Sequence, residues 1–330
     1  MKRRSILAGL AAVPLASLAA CGQSGGGAKQ AIDTINFSVL SAQDQQSMGA
    51  FWQPVLDDLA KATGLKVKPF FATNYAALIE AMRFNQVQAG WFSALSGLEA
   101  VRRADAKVVA RTADRDGLTS YRSVLIVKKG RGLTLDKVLK CDKRLGFGIG
   151  DAKSTSGTLA PMSYLFTPRG IEPSECFKTV RSASHQANFF AVANGVLDVA
   201  TNNTVGQIFY KRDYPALADK VEIIWTSPDL PESAIVVRKD LDPAIITKIA
   251  DFFTTYGKSQ DAEGERQRKN LEKLEYSGFL PADDSYLQPI RQMEAGEALR
   301  EAQRSGDAAR IAQAKQAYEV VQTAGKTLAP

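Results

Sequence analysis

Leu145–Pro161, LGFGIGDAKSTSGTLAP, is the stretch on which the reading of this chain turns. It predicts a strand that breaks at Gly148 and Gly150, a loop through Asp151 to Lys153, and a helix entered at Ser154-Thr155-Ser156-Gly157. A strand turning through glycines into a helix start is half of a β/α unit, and strands alternating with helices argue for parallel sheet. The first backbone N–H groups of a helix lack intrahelical partners, and the helix dipole favours negative charge there. Small hydroxyl residues let a tetrahedral anion approach those amides and add O–H donors of their own. The same residues also make an ordinary N-cap, so the tetrapeptide alone leaves both readings open.

Working outward, the same alternation recurs. Strands are predicted at 35–40, 66–71, 89–92, 145–149, 177–181, 196–201, 221–225 and 234–238. Helices are predicted at 48–63, 75–84, 95–103, 133–140, 188–194 and 243–256, the first ending at Gly64. Residues 121–128, YRSVLIVK, form a β-branched run long enough to pass between two lobes. Beyond Ser285 the composition turns rich in Ala, Gln, Arg and Glu with spaced apolar residues, which predicts helices broken at Gly306. That extension either packs across a lobe or forms a dimer contact.

The N-terminus reads as a targeting segment. Lys2, Arg3 and Arg4 precede an apolar run from Ile6 to Leu18, and Leu18-Ala19-Ala20-Cys21 has the form of a bacterial lipobox with Cys21 as the lipidated residue. Residues 22–34, with three consecutive glycines, read as a flexible tether. An exported chain, soluble but held to the cell envelope by N-terminal lipid, is the expectation. Of 42 basic residues three lie in this leader, so the remainder carries 39 against 35 acidic ones. That mild excess suits an anionic small ligand, and no basic run with interleaved aromatics points to nucleic acid. Cys141 and Cys176 each lie just before a predicted strand. If those strands are parallel neighbours, both thiols sit at the end of the sheet opposite the ligand-binding end. A disulfide and two buried free thiols both remain open. The spacing fits no metal site, and no cofactor is expected.

From about Ile35 to Met293 the chain resembles the phosphonate-binding periplasmic proteins of bacterial phosphonate ABC importers, within the wider phosphate/phosphite/phosphonate substrate-binding family. The resemblance rests on Asn74-Tyr75-Ala76 running into Glu80-Ala81-Met82-Arg83-Phe84-Asn85, and on the strand Ser123-Val124-Leu125-Ile126-Val127. It continues through Gly150-Asp151 leading to Ser154-Thr155-Ser156-Gly157, His185 followed by Ala191-Val192-Ala193-Asn194, Asp198-Val199-Ala200-Thr201-Asn202-Asn203-Thr204, and Asp251-Phe252-Phe253. The expected architecture is α/β, a type II-like two-lobed periplasmic binding protein with two β/α lobes joined by two hinge strands. Its divisions are a lipoprotein signal peptide (1–21), the tether (22–34), a discontinuous first lobe (35–124 and 234–285), a second lobe carrying the anion site (125–233) and a helical C-terminal extension (286–330).

The resemblance implies a solute-binding component of an ABC importer, not an enzyme, that delivers its ligand to a membrane permease. Ser154, Thr155 and Ser156 would bind phosphonate oxygens, Tyr75 and Tyr121 would donate phenolic O–H bonds, and His185 an imidazole N–H. His185 is the only histidine. Asp151 reads as a turn or capping residue, because a carboxylate facing a phosphonate repels it. Trp91 and Phe92 read as cleft wall or as core. Arg122 should point away from Tyr121 on a strand.

Two departures bear on the ligand. Relatives that bind 2-aminoethylphosphonate grip its ammonium with a Glu directly after the TNNT segment, where this chain has Val205, and with an Asp where this chain has Ser233. A buried ammonium without counter-charge is costly. The expected ligand therefore has a tail without a cation: alkylphosphonate, phosphite, phosphate or a phosphate ester. Val205, Glu232 and Ser233 are candidate tail contacts, with Glu232 a substitute carboxylate if its loop shifts and Asp229 a weaker one. Two other readings stand beside this one. A receptor for another oxyanion, such as a sulfonate, shares the fold. An exported phosphohydrolase needs a nucleophile with a base, and the Ser156–His185 pair has no acid partner in the sequence pattern.

Overall fold

The computed structural model describes residues 32–328. The signal peptide, Cys21 and the tether up to residue 31 lie outside them. The first stretch runs β1 (Thr34–Ser38), α1 (Gln45–Thr63), β2 (Lys66–Phe70), α2 (Tyr75–Arg83), β3 (Ala89–Phe92), α3 (Ala94–Arg103) and β4 (Ala106–Asp114). Local chemistry sets these ends. Asp44 caps α1 by accepting from Ser47 N at 2.9 Å, and Gly64 stops it in the left-handed region at φ 74°. The chain then forms β5 (Ser120–Tyr121) and β6 (Ser123–Lys128), the short α4 (Leu135–Val138) and β7 (Gly146–Ile149).

A helical segment over residues 155–169 follows, opening on wide π-type turns. Pro161 offers no N–H to the carbonyls one turn back, and the sheet takes them instead. Ser156 O accepts from Ser123 Oγ at 2.6 Å. Gly157 O accepts from Thr201 Oγ1 at 2.8 Å and from Gly150 N at 2.9 Å. The start of this helix is thereby tied to three strand ends or their continuations. Gly150 and Gly157 pack backbone against backbone, and a Cβ on Gly150 would sit 2.4 Å from Gly157 Cα.

The second lobe continues with α5 (Pro173–Cys176), β8 (Thr179–Ser182), α6 (His185–Ala193), β9 (Val199–Asn203), α7 (Thr204–Asp213), α8 (Pro215–Ala218) and β10 (Val221–Thr226). The chain returns through β11 (Leu230–Pro231) to β12 (Ala234–Arg238), α9 (Pro243–Thr255), α10 (Ala262–Lys273) and β13 (Tyr276–Pro281). It ends in α11 (Gln288–Ser305) and α12 (Ala308–Leu328).

Two sheets result. One has the order β13-β4-β12-β3-β1-β2, the other β10-β6-β9-β7-β8. Each is mixed: β1 with β2 and β3, and β7 with β8 and β9, are parallel, and the other pairs are antiparallel. The two crossings between lobes pair with each other as a ribbon of β5 and β11, Leu230 opposite Tyr121. The run 121–128 is thus two strands, a ribbon strand and β6, and Ser123 and Val124 already belong to the second sheet. β4, β13, α7 and α10, with the short α5, α8 and β11, are additions to the elements expected from the sequence.

The first sheet is packed around Phe37, Trp52 and Phe253, with ring centroids 5.4 and 5.8 Å from Phe37. Leu159 and Ala160 of the second lobe join that same apolar cluster, so the two lobes meet through buried surface. The second sheet has apolar residues on both faces, Phe147 with Phe166 and Phe177 on one and Phe189 stacked on Tyr210 at 4.0 Å on the other. Cys141 and Cys176 form a disulfide across 35 residues, at the ends of β7 and β8 where those strands begin.

Gly306 ends α11 at φ 70°. Before that, α11 touches both lobes: Glu294 pairs with Arg102 of α3 at 2.6 Å, and Glu297 accepts from Thr167 Oγ1 at 2.7 Å. No helix among the described residues is long and apolar enough to cross a membrane.

Candidate functional site

Five helix starts converge on one cavity between the sheets. Its wall takes Tyr75 from the first position of α2, Ser93 from the cap of α3, Ser154 from the cap of the 155–169 segment, His185 from the first position of α6 and Asn203 from the cap of α7. The same local rule builds each start: a Ser or Asn side chain accepts from the N–H three residues on. Asn74 takes Ala77 N at 2.9 Å, Ser93 takes Ser96 N at 3.3 Å, Ser154 takes Gly157 N at 3.0 Å, Ser184 takes Ala187 N at 3.2 Å and Asn203 takes Gly206 N at 2.7 Å. The cavity offers about 70 Å³, several times the roughly 10–15 Å³ that one water needs on the same measure. That is room for a small oxyanion with a short tail.

Ser154 and Ser156 are both on the wall and buried, with their hydroxyls 3.3 and 3.5 Å from His185 Nε2. Burial pushes the His185 imidazole down to about 4, so it is neutral near pH 7. Its Nδ1 is buried without a partner, so no carboxylate orients the ring. Burial raises the phenols of Tyr75 and Tyr121 well above their ordinary value, which keeps both as O–H donors. No Lys or Arg lines the cavity among the described residues, and no group of three or more His, Cys, Asp or Glu is placed to hold a metal.

Thr155 departs from its expected place. It is not on the cavity wall, and its Oγ1 accepts from Leu95 N at 2.9 Å, at the start of α3 in the other lobe. Ser154, the cap, is extended (φ −86°, ψ 130°), and Thr155, the first helical residue, turns its hydroxyl toward Leu95 N and the Tyr121 phenol. Asp151 has the capping role its chemistry suggested. Its Oδ1 accepts from Lys153 N at 2.8 Å and its Oδ2 from Tyr75 N at 3.0 Å, across the lobes. Arg122 pairs with Asp229 at 2.7 Å, both exposed, and neither is on the wall.

The candidate tail contacts Val205, Glu232 and Ser233 are all on the wall, with Phe209 and Met48. Glu232 is there with no shift of its loop, 3 % exposed, its Oε2 accepting from Thr112 Oγ1 at 3.2 Å and from Ser233 N at 3.3 Å. Trp91 is on the wall and Phe92 is fully buried in the first lobe's core. Polar wall residues without a role in the sequence reading include Ser93, Asn203 and Tyr276. The first two carried a usable signal, a Ser or Asn directly before an apolar helix. Tyr276 had none, because its strand was not read.

A further set of contacts holds the lobes together around the cavity. Gln186 Oε1 accepts from Asp44 N at 2.6 Å, Lys153 pairs with Glu99 at 3.3 Å, and Arg212 pairs with the buried Glu275 at 2.6 Å. Arg212 also lies 5.3 and 4.8 Å from the ring centroids of Phe51 and Phe209, one from each lobe.

The chain is similar to several known proteins. The family model described as "ABC transporter, phosphonate, periplasmic substrate-binding protein" matches residues 37–287. The chain is 42 % identical over 260 residues to the phosphonates-binding periplasmic protein of Escherichia coli, covering 78 % of this chain and 75 % of that one. It is 27 % identical over 247 residues to a probable ABC transporter phosphite-binding protein of Prochlorococcus marinus, covering 72 % and 80 %. The crystal structure of a binding component of an ABC phosphonate transporter from Pseudomonas aeruginosa superposes with a TM-score of 0.83 at 36 % identity, covering 89 % of this chain and 97 % of that one. The chain belongs to the family of periplasmic substrate-binding proteins of phosphonate ABC transporters.

Proposed function

We propose that the cavity captures a phosphorus oxyanion with a cation-free tail, such as an alkylphosphonate, phosphite or phosphate, and that the closed protein delivers it to the permease of an ABC importer. The convergence of five helix starts on a wall without Lys or Arg carries this reading. Each helix N-terminus acts as roughly half a positive charge. Ser154 and Ser156 add hydroxyl donors, Tyr75 and Tyr121 add phenols, and His185 adds Nε2–H in the neutral ring. A closed site must replace the water around an anion with many donors, and this set does so. The relatives' names, phosphonates-binding in one and phosphite-binding in another, support the same head group.

Two outer parts belong to the same reading: a lipid on Cys21 that holds the protein to the envelope membrane, and pairing of two copies through the C-terminal helices. The deciding experiment is calorimetric titration of ligand-stripped protein with methylphosphonate, phosphite, phosphate and methylsulfonate. The expected result is stoichiometric binding of phosphorus oxyanions and much weaker binding of the sulfonate. Equal or tighter sulfonate binding, or turnover of a phosphate ester, overturns the reading.

A further inference from the structure

Glu232 is the only carboxylate on the cavity wall among the described residues, and no cation faces it there. It follows β11 directly, and the short ribbon sets its side chain inside the protein. Its two oxygens are unequal. Oε2 accepts from Thr112 Oγ1 and Ser233 N, while Oε1 is buried with no partner in the chain. The groups around it come from four elements: Thr112 and Asp114 on β4, Tyr121 on β5, Tyr276 on β13, and Tyr286 in the turn Asp284–Leu287, whose phenol donates to Glu232 O at 3.1 Å. Arg111 meets this cluster at the Tyr286 ring, 5.0 Å from its centroid. A carboxylate and a phosphorus anion sharing such a cavity repel strongly, because little water lies between them to screen the charges.

We propose that Glu232 binds the ligand as a carboxylic acid, donating an Oε1 proton to a ligand oxygen, so that capture of the anion takes up a proton. This rests on the phosphorus-anion reading above. Oε2 already receives two donors, so the proton belongs on Oε1, where an acceptor is needed. Burial first, with the Asp114 charge adding to it and the Ser233 and Thr112 bonds opposing, pushes the Glu232 carboxyl up to about 7, and a bound anion pushes it further in the same direction. Below that range Glu232 is protonated before the ligand arrives and takes up nothing. Above it, binding draws a proton from solvent, and affinity falls as pH rises. A protonated Glu232 disfavours an ammonium tail, because its Oε1–H is a donor where the ammonium's three donors need acceptors and a counter-charge. The favoured tail is neutral and carries an oxygen acceptor.

The test is calorimetry on the full chain with 2-hydroxyethylphosphonate, in buffer pairs of different ionisation enthalpy, at about pH 5.5 and about pH 8. Wild type is compared with Glu232→Gln, whose amide keeps a donor but cannot titrate. The ligand's own ionisation is common to both proteins and cancels. At about pH 8 wild type should take up close to one proton more per ligand than the variant, and at about pH 5.5 the two should agree. Thr112→Val removes a donor to Oε2, disfavours the carboxylate, and should move the onset of uptake to higher pH. 2-Aminoethylphosphonate should bind wild type roughly tenfold or more weaker than the hydroxyl analogue, the scale of one unmet buried polar group.

Equal proton counts in wild type and Glu232→Gln overturn the proposal. So does tighter binding of the aminoethyl ligand that Glu232→Gln abolishes, which would make Glu232 a carboxylate partner. If Glu232→Gln fails to fold, an onset that Thr112→Val leaves in place overturns it equally. If neither protein binds any phosphorus oxyanion, the reading of the head group falls and this inference falls with it.

Discussion

Ser156→Ala separates binding from folding more sharply than any other change in the cradle. Within the protein the Ser156 hydroxyl meets only the Tyr121 phenol and His185 Nε2, the latter at 3.5 Å, too long for a good hydrogen bond. Its loss should cost the fold about 1 kcal/mol or less, a few degrees in the unfolding midpoint at most. Toward a bound anion the same hydroxyl is a charge-assisted donor worth about 1.5–3 kcal/mol, so the Kd for methylphosphonate should rise roughly 10- to 150-fold. The neighbours behave differently. Ser154→Ala removes the cap on Gly157 N and should cost about 1 kcal/mol of stability as well as affinity. Thr155→Ala leaves Leu95 N buried without its acceptor, a cost of about 1–3 kcal/mol that falls on the joining of the lobes. Calorimetric Kd and thermal midpoint measured on all three single variants read both effects. A Ser156→Ala protein that binds within twofold of wild type refutes the assignment. One that loses more stability than Ser154→Ala refutes the division of roles between capping and binding.

Replacing Cys141 and Cys176 by Ser opens a loop of 35 residues and should cost about 4 kcal/mol on the chain-entropy estimate. The bridge lies at the opposite ends of β7 and β8 from the cradle, so the midpoint should fall while the Kd holds. A changed Kd with an unmoved midpoint contradicts that placement. Arg212→Ala strips the 2.6 Å partner from Glu275, which is 2 % exposed, and removes the cation packed against the stacked Phe51–Phe209 ring pair. The closed form should be less populated and the apparent Kd for methylphosphonate should rise about tenfold or more. Calorimetry showing an unchanged Kd rules out this latch as part of closure.

The parts of the site legible in the sequence are those set by local chemistry. A Ser or Asn before an apolar helix names its own cap, which is why Ser154 and the start of α2 at Tyr75 could be placed without a structure. His185 could be placed only as preceding a helix, and the structure makes it the first helical residue. What was not legible depends on distant pairing. β13 reads YSGFLP, and Gly278 and Pro281 demote it as a strand. The structure accommodates Gly278 at a register shift against β4, and this brings Tyr276 to the cavity. β4 itself is interrupted by Lys107, Arg111 and Asp114, and only its place between β13 and β12 makes it central. Spacing put Ser233 in the tail contact and left Glu232 beside it. Alternation assigns sides only where strand geometry holds, and here β11 ends at Pro231, so both residues reach the wall.

The arrangement also explains how an anion can be held without a cation and still drive closure. Three of the five helix starts, capped by Ser154, Ser184 and Asn203, belong to the second lobe, and two, capped by Asn74 and Ser93, to the first. The full field of amides therefore exists only when the lobes are together, and a ligand that needs all of it favours the closed form by that difference. The protein's own cross-lobe contacts use the same chemistry. Asp151 Oδ2 accepts from Tyr75 N at the start of α2, and Thr155 Oγ1 accepts from Leu95 N at the start of α3. The second lobe thus offers oxygens to the first lobe's helix starts. What the ligand adds is a shared acceptor for the donors those bonds leave over. A fixed Lys or Arg on either wall would attract anions to the open form as well, weakening the link between binding and closure. Neutral donors split between two lobes, with a protonatable Glu232 beside them, tie affinity to the closed geometry.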